Sequence, residues 1–121
     1  MYEFSTVRGA GSNSSYPAAT TDGSGNVWFI HGNSADIFTP DGQRSTVQLS
    51  VSMSAPAATT DGNGNVWVGQ NNDVNVFALD SHERFTAKLT KTMNRPAATT
   101  DGNGNVWFAG GTVANVFTKL G

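Results

Sequence analysis

Apolar and polar residues alternate along this chain in bursts of four to six, and no burst is long enough for a helix. In the middle of the chain Asn65-Val66-Trp67-Val68 and Val74-Asn75-Val76-Phe77 switch between apolar and polar positions in strand fashion. Ala57-Ala58-Thr59-Thr60 before them is small and partly β-branched, and Arg84 to Leu89 after them alternates again. Turn formers separate the bursts. Asp61-Gly62-Asn63-Gly64 combines glycines, which accept positive φ, with Asp and Asn, which bond locally to the backbone. Gly69 and the Asn-rich Gln70 to Asp73 form the second break, and Leu79 to Glu83 the third. The pattern predicts four short strands in this stretch and an all-β chain.

The same pattern occurs three times. PAATTDGSGNVW from Pro17 to Trp28 returns as PAATTDGNGNVW from Pro56 to Trp67 and again from Pro96 to Trp107. Ten residues after each Trp stands a Phe: Phe38, Phe77 and Phe117. FSTV (Phe4 to Val7), RSTV (Arg44 to Val47) and RFTA (Arg84 to Ala87) form a further set. A unit of about 40 residues with four strands has the form of a β-propeller blade. The expected division is an outer strand and linker over residues 1–16, then blades over 17–55, 56–95 and 96–121, the last without its outer strand. The Phe4 to Val7 strand is expected to pair with Val113 to Thr118 of a neighbouring chain, leaving no open edge.

Composition narrows the functional classes. Seven basic residues face nine acidic ones, a net charge of −2, so the basic footprint of a nucleic-acid surface is missing and no nucleic-acid partner is expected. There is no Cys, hence no disulfide, thiolate metal site or thiol nucleophile. No apolar run approaches the length that a membrane-spanning helix needs, so none is expected. Gly, Thr, Asn and Ser make up 51 of the 121 residues, an alphabet of turns and short strands.

PAATTDGNGNVWF, followed by a Gly-rich bend, a V-F strand and the Asp41-Gly42 turn, resembles the blade of virginiamycin B lyase-type propellers. It is similar also to NHL-type blades and to sensor-kinase propellers with their D-x-x-G-N-x-W hairpins. The lyase resemblance implies a closed ring of more blades than this chain has, and an active centre that uses a metal with histidines and acids. Only His31 and His82 are present, at non-equivalent places in different repeats. The resemblance therefore implies the fold and does not carry the catalytic set across.

Three blades are too few to close a ring, and open end blades would leave Trp, Phe and Val faces in water. The chain is therefore expected to bind itself: a homodimer gives six blades, and a homotrimer, the next alternative, nine. Trp28, Trp67, Trp107, Phe38, Phe77 and Phe117 are assigned to packing between blades rather than to sugar stacking. The paired alanines before each Asp-Gly turn belong on the innermost strand, where only small side chains fit. Asp22, Asp61 and Asp101 open turns with oxygen ligands at the 1, 3, 5 spacing of a calcium loop. The Gly and Glu of such a loop are absent, and a hairpin turn accounts for the same letters. No metal or cofactor is expected.

The loops before each Pro and after each Trp strand vary between repeats and share one face of a propeller. They carry Arg8, Asn13, Tyr16, His31, Asn33, Asn71, Asn72, Asp73 and Arg95, a polar set suited to a sugar-like ligand. His31 is the one candidate general base on that face, and no Ser nucleophile in a known motif accompanies it. The leading functional expectation is a structural, self-assembling propeller unit without catalysis, a form that natural and designed repeat proteins share. The alternative is a multivalent, lectin-like binding module. A lyase-like enzyme is the third.

Overall fold

A computed structural model describes residues 2, 3, 5 and 16–119. Nine strands form three antiparallel sheets in chain order: β1 (Ala18–Thr21), β2 (Val27–Phe38) and β3 (Arg44–Met53); β4 (Ala57–Thr60), β5 (Val66–Phe77) and β6 (Arg84–Met93); β7 (Ala97–Thr100), β8 (Val106–Gly110) and β9 (Val113–Phe117). No helix occurs among the described residues. The repeat is thus one sheet per unit of about 40 residues. Each sheet starts with the Ala-Ala-Thr-Thr strand, paired to the Trp strand in one register: Thr20 opposite Trp28, Thr59 opposite Trp67, Thr99 opposite Trp107.

Each sheet has three strands, where the sequence pattern predicts four. In the first two sheets the second and third bursts run together as one 12-residue element. That element is not straight. Phe29 and Phe38, nine residues apart, have ring centroids at 5.9 Å, whereas an extended strand would hold them about 30 Å apart. The bend falls where Gly32 and Asn71 take φ of 57° and 56°. In the third sheet the same bend separates β8 from β9, with Gly110 paired to Val113 and Gly111 at φ 62°. The expected fourth-strand partner from Phe4 to Val7 lies largely outside the described residues, as do Arg8 and Asn13.

The Asp-Gly hairpins form as the sequence predicts. Gly25, Gly64 and Gly104 sit at φ 85–88°, and each donates its N–H to the carbonyl of the Asp three residues earlier at 3.0–3.1 Å. The left-handed glycine closes the turn at little steric cost.

Alternation gives every sheet two apolar faces. Trp28, Ile30, Ala35 and Ile37 on the trailing face of the first sheet pack against Val66, Val68 and Phe77 on the leading face of the second. Trp67, Val74 and Val76 on the trailing face of the second pack against Val106, Phe108 and Phe117 of the third. The starting strands lie side by side: Thr20 and Thr60 hydroxyls are 2.8 Å apart, those of Thr59 and Thr100 3.0 Å. Alanines in these strands let the three backbones converge.

Candidate functional site

Two places hold the residues singled out in the sequence: the junctions between sheets and the loop face. Each junction is anchored by a Trp tied to its own turn. Asp22 accepts from the backbone N–H groups of Ser24 (2.9 Å) and Asn26 (3.0 Å), from Asn26 Nδ2 (3.0 Å) and from Trp28 Nε1 (2.8 Å). Asp61 and Asp101 make the same four bonds, the indole ones at 2.7 Å from Trp67 and 3.0 Å from Trp107. Both oxygens of each carboxylate are engaged by N–H donors, so the 1, 3, 5 spacing builds a turn clamp. The Trp107 indole and the Asn105 backbone N–H draw the Asp101 carboxyl down to about 2. At Asp22 burial pushes the other way, yet the bonds from Trp28, Asn26 and Ser24 together hold it below the usual carboxylate range.

The clamped Trp then meets a Phe from the next sheet. Trp28 and Phe77 rings lie 5.2 Å apart at 47°, and Trp67 and Phe117 lie 4.9 Å apart at 51°. His82 adds an edge contact to Trp28 at 5.2 Å. Glycine backbones touch across the same junctions. A Cβ placed on Gly23 would lie 2.7 Å from the Gly64 Cα, and one on Gly62 would lie 3.3 Å from the Gly104 Cα. The Gly23 N–H also donates to the Gly64 carbonyl at 3.1 Å.

The outer faces carry the same letters with no covering sheet among the described residues. Trp28 is 1% exposed, whereas Trp107 in the third sheet is 39% exposed. Val27 on the first sheet is 36% exposed, whereas its counterparts Val66 and Val106 are 1% exposed. With Phe29, Phe38 and Pro40, Val27 lines an open apolar groove of about 370 Å³.

On the loop face the structure brings together two predicted residues, Tyr16 and Arg95. The Arg95 guanidinium lies 4.7 Å from the centre of the Tyr16 ring, and its Nη2 donates to the Tyr16 hydroxyl at 3.3 Å. With Pro17, Ala55, Pro56 and Pro96 they line a mouth of about 370 Å³ where the three starting strands converge. Of the other predicted loop residues, none of those described lines it. Asn33, Asn71 and Asn72 are exposed, and Asp73 is ion-paired with Lys88.

His31 is held by a residue the sequence pattern does not single out. Its Nε2 lies 2.9 Å from Oδ2 of the buried Asp36, whose Oδ1 accepts from the Thr46 hydroxyl at 2.9 Å. Aligning the repeats would have exposed it, because the other two units have Asn75 and Asn115 at this position. Asn75 crosses to the first sheet, accepting from the Ser50 N–H and donating to its hydroxyl, each at 2.8 Å.

This arrangement of successive sheets has known counterparts. Neither a family model nor a curated protein matches the chain. Among solved structures, a streptogramin B lyase matches with a TM-score of 0.64 at 23% identity, over 77% of this chain and 33% of the other. The selenomethionine-substituted virginiamycin B lyase from Staphylococcus aureus matches with a TM-score of 0.66 at 19% identity, over 85% of this chain and 41% of the other. The fold is that of a partial β-propeller. This partial propeller resembles the lyase propellers in architecture and spans a third to two-fifths of their length.

Proposed function

We propose that the chain is a propeller-building module that associates with a second copy to close a six-bladed ring, and that it acts as a structural unit without chemistry or cofactor of its own. In this reading the first two sheets are four-stranded blades, each 12-residue element counting as two strands around the bend, and the third sheet holds the first three strands of a blade. The N-terminal segment supplies the outer strand of the third blade of the neighbouring copy. The observation that carries the proposal is the contrast between Trp28 at 1% and Trp107 at 39% exposure in the same position of motifs that differ at one residue, Ser24 against Asn103. A large aromatic clamped at its turn but left open on its packing face matches a junction awaiting its other half.

The lyase reading has weaker support. The two histidines are far apart in role, His31 against Asp36 and His82 against Trp28. Among the described residues no group of three or more His, Asp or Glu side chains gathers in a metal-holding arrangement. A ligand-binding reading rests on the Tyr16–Arg95 mouth, and a glycan array tests it: binding that Arg95→Ala abolishes would favour it over the structural role. The main proposal is tested by native mass spectrometry. A species at twice the 12.7 kDa chain mass is expected, and a lone chain at all concentrations refutes it.

A further inference from the structure

The two junctions inside the chain are of one kind and directional: a trailing face always meets a leading face. We infer that the second copy docks head to tail, the trailing face of the third sheet receiving the leading face of the partner's first sheet in the register of the internal junctions. This rests on the self-association proposed above and adds which atoms meet.

Three features determine that register. Trp28 and Trp67 each receive the Phe ten residues past the Trp of the following sheet, so Trp107 is to receive Phe38 of the second copy. In glycine contacts, the second turn residue of one sheet meets the fourth turn residue of the next. Among the described residues, Gly102 has nothing within 4 Å of a Cβ placed on it, and Gly25 has only its own Pro40 at 3.9 Å. These two glycines are the unused halves of one such contact. Finally, the Ser24 hydroxyl donates to Asp80 at 3.0 Å across the first junction. Counted from the Phe before each loop, Asp41 stands where Asp80 does, on a loop one residue shorter, so the matching pair at the open junction is Asn103 with Asp41 of the second copy. The occupant must present a valine, a phenylalanine and a left-handed glycine at one blade's spacing. The first sheet of this chain does so with Val27, Phe38 and Gly25, and leaves the first two in an open groove.

A chain with no native Cys permits a direct test. In the double variant Asn103→Cys/Asp41→Cys, mild oxidation of dilute protein is expected to give a covalent pair of chains on a non-reducing gel. Neither single variant should cross-link, because a head-to-tail pair never sets identical positions opposite each other. If the unoxidised protein has the mass of two chains but the double variant does not cross-link, the register is wrong and self-association stands. Efficient cross-linking of a single variant also overturns the register, in favour of a face-to-face dimer. A lone chain at all concentrations overturns both proposals. Gly102→Ala supplies a second reading. Its added methyl has open space within the chain, so thermal unfolding of the lone chain should be unchanged, while association weakens at least tenfold. Association as tight as in the parent chain would refute the glycine contact.

Discussion

Replacing each motif Trp by Ala, one at a time, measures how much of the fold each junction supports. The three side chains share a strand position and an Asp clamp and differ only in what covers them. Trp28 is enclosed by Phe77 and His82, so its removal leaves a cavity and takes a donor from the buried Asp22. A loss of about 3–5 kcal/mol is expected for a buried Trp→Ala change, a large share of the total stability of a chain this size. Trp107 is two-fifths open, so its removal should cost the isolated chain about half as much, with Trp67 in between. The open part of Trp107 is on the order of 80 Å², worth about 2 kcal/mol if a second copy covers it. The proposed closed pair has two such junctions, so in it Trp107→Ala should weaken dimerisation by about 4 kcal/mol, roughly a thousandfold. Urea unfolding of dilute protein by circular dichroism gives the first series, and sedimentation equilibrium the second. Equal destabilisation at all three sites, together with unaltered dimerisation of Trp107→Ala, would refute this account.

Three further outcomes follow from the junctions and clamps. Gly23→Ala should destabilise by about 1–3 kcal/mol in urea melts, because its methyl would meet the Gly64 backbone at 2.7 Å, and Gly62→Ala, at 3.3 Å, by less. Asn75→Ala should cost about 2–3 kcal/mol by removing both bonds to Ser50, whereas Asn115→Ala should cost clearly less, since its Nδ2 is buried without a partner among the described residues. For acid, the folded pKa of Asp101 (about 2) and that of Asp22 lie below the unfolded value of 3.8. Their contribution is complete above pH 4 and is lost as pH falls toward 2, so the urea midpoint should drop across that window, less steeply in Asp101→Asn.

Most of this architecture is legible in the letters because the repeat states each local rule three times. PAATTDGNGNVW fixes an inner strand, a left-handed glycine turn and a Trp strand, and all three copies fold alike. What the letters leave open is where partners come from. Asp61-x-Asn63-x-Asn65 reads equally as an oxygen-ligand loop, and only the indole N–H of Trp67 reaching back six residues shows that the carboxylate is engaged. The letters mark the bend at Gly32 and Asn71 as a break between strands, yet local pairing carries strand geometry through it. Asp36 escapes the sequence pattern because alternation places it on a buried strand among apolar neighbours, where a carboxylate is expected only if partnered. Two of its partners, His31 and Thr46, lie five and ten residues away along the chain, beyond the reach of a periodicity argument. The openness of Trp107 cannot be read from an identical motif at all; it depends on which sheet stands next in space.

A head-to-tail junction also makes a demand that a symmetric one does not. Face-to-face dimers stop at two because each partner uses its only sticky surface, whereas a directional junction always leaves one leading and one trailing face until the ends meet. Whether growth stops therefore depends on the turn from blade to blade. The two internal junctions repeat nearly the same Trp–Phe stacking, 5.2 Å at 47° in the first and 4.9 Å at 51° in the second, so the third should repeat that turn. A turn of one-sixth of a circle per blade closes on two chains, and one-ninth of a circle closes on three. A ring then has no free face, and its mass should hold constant over a hundredfold dilution above its dissociation constant. A ladder of masses that lengthens with concentration would mean that the junction forms and the ring does not close, and Gly102→Ala should then shorten the ladder.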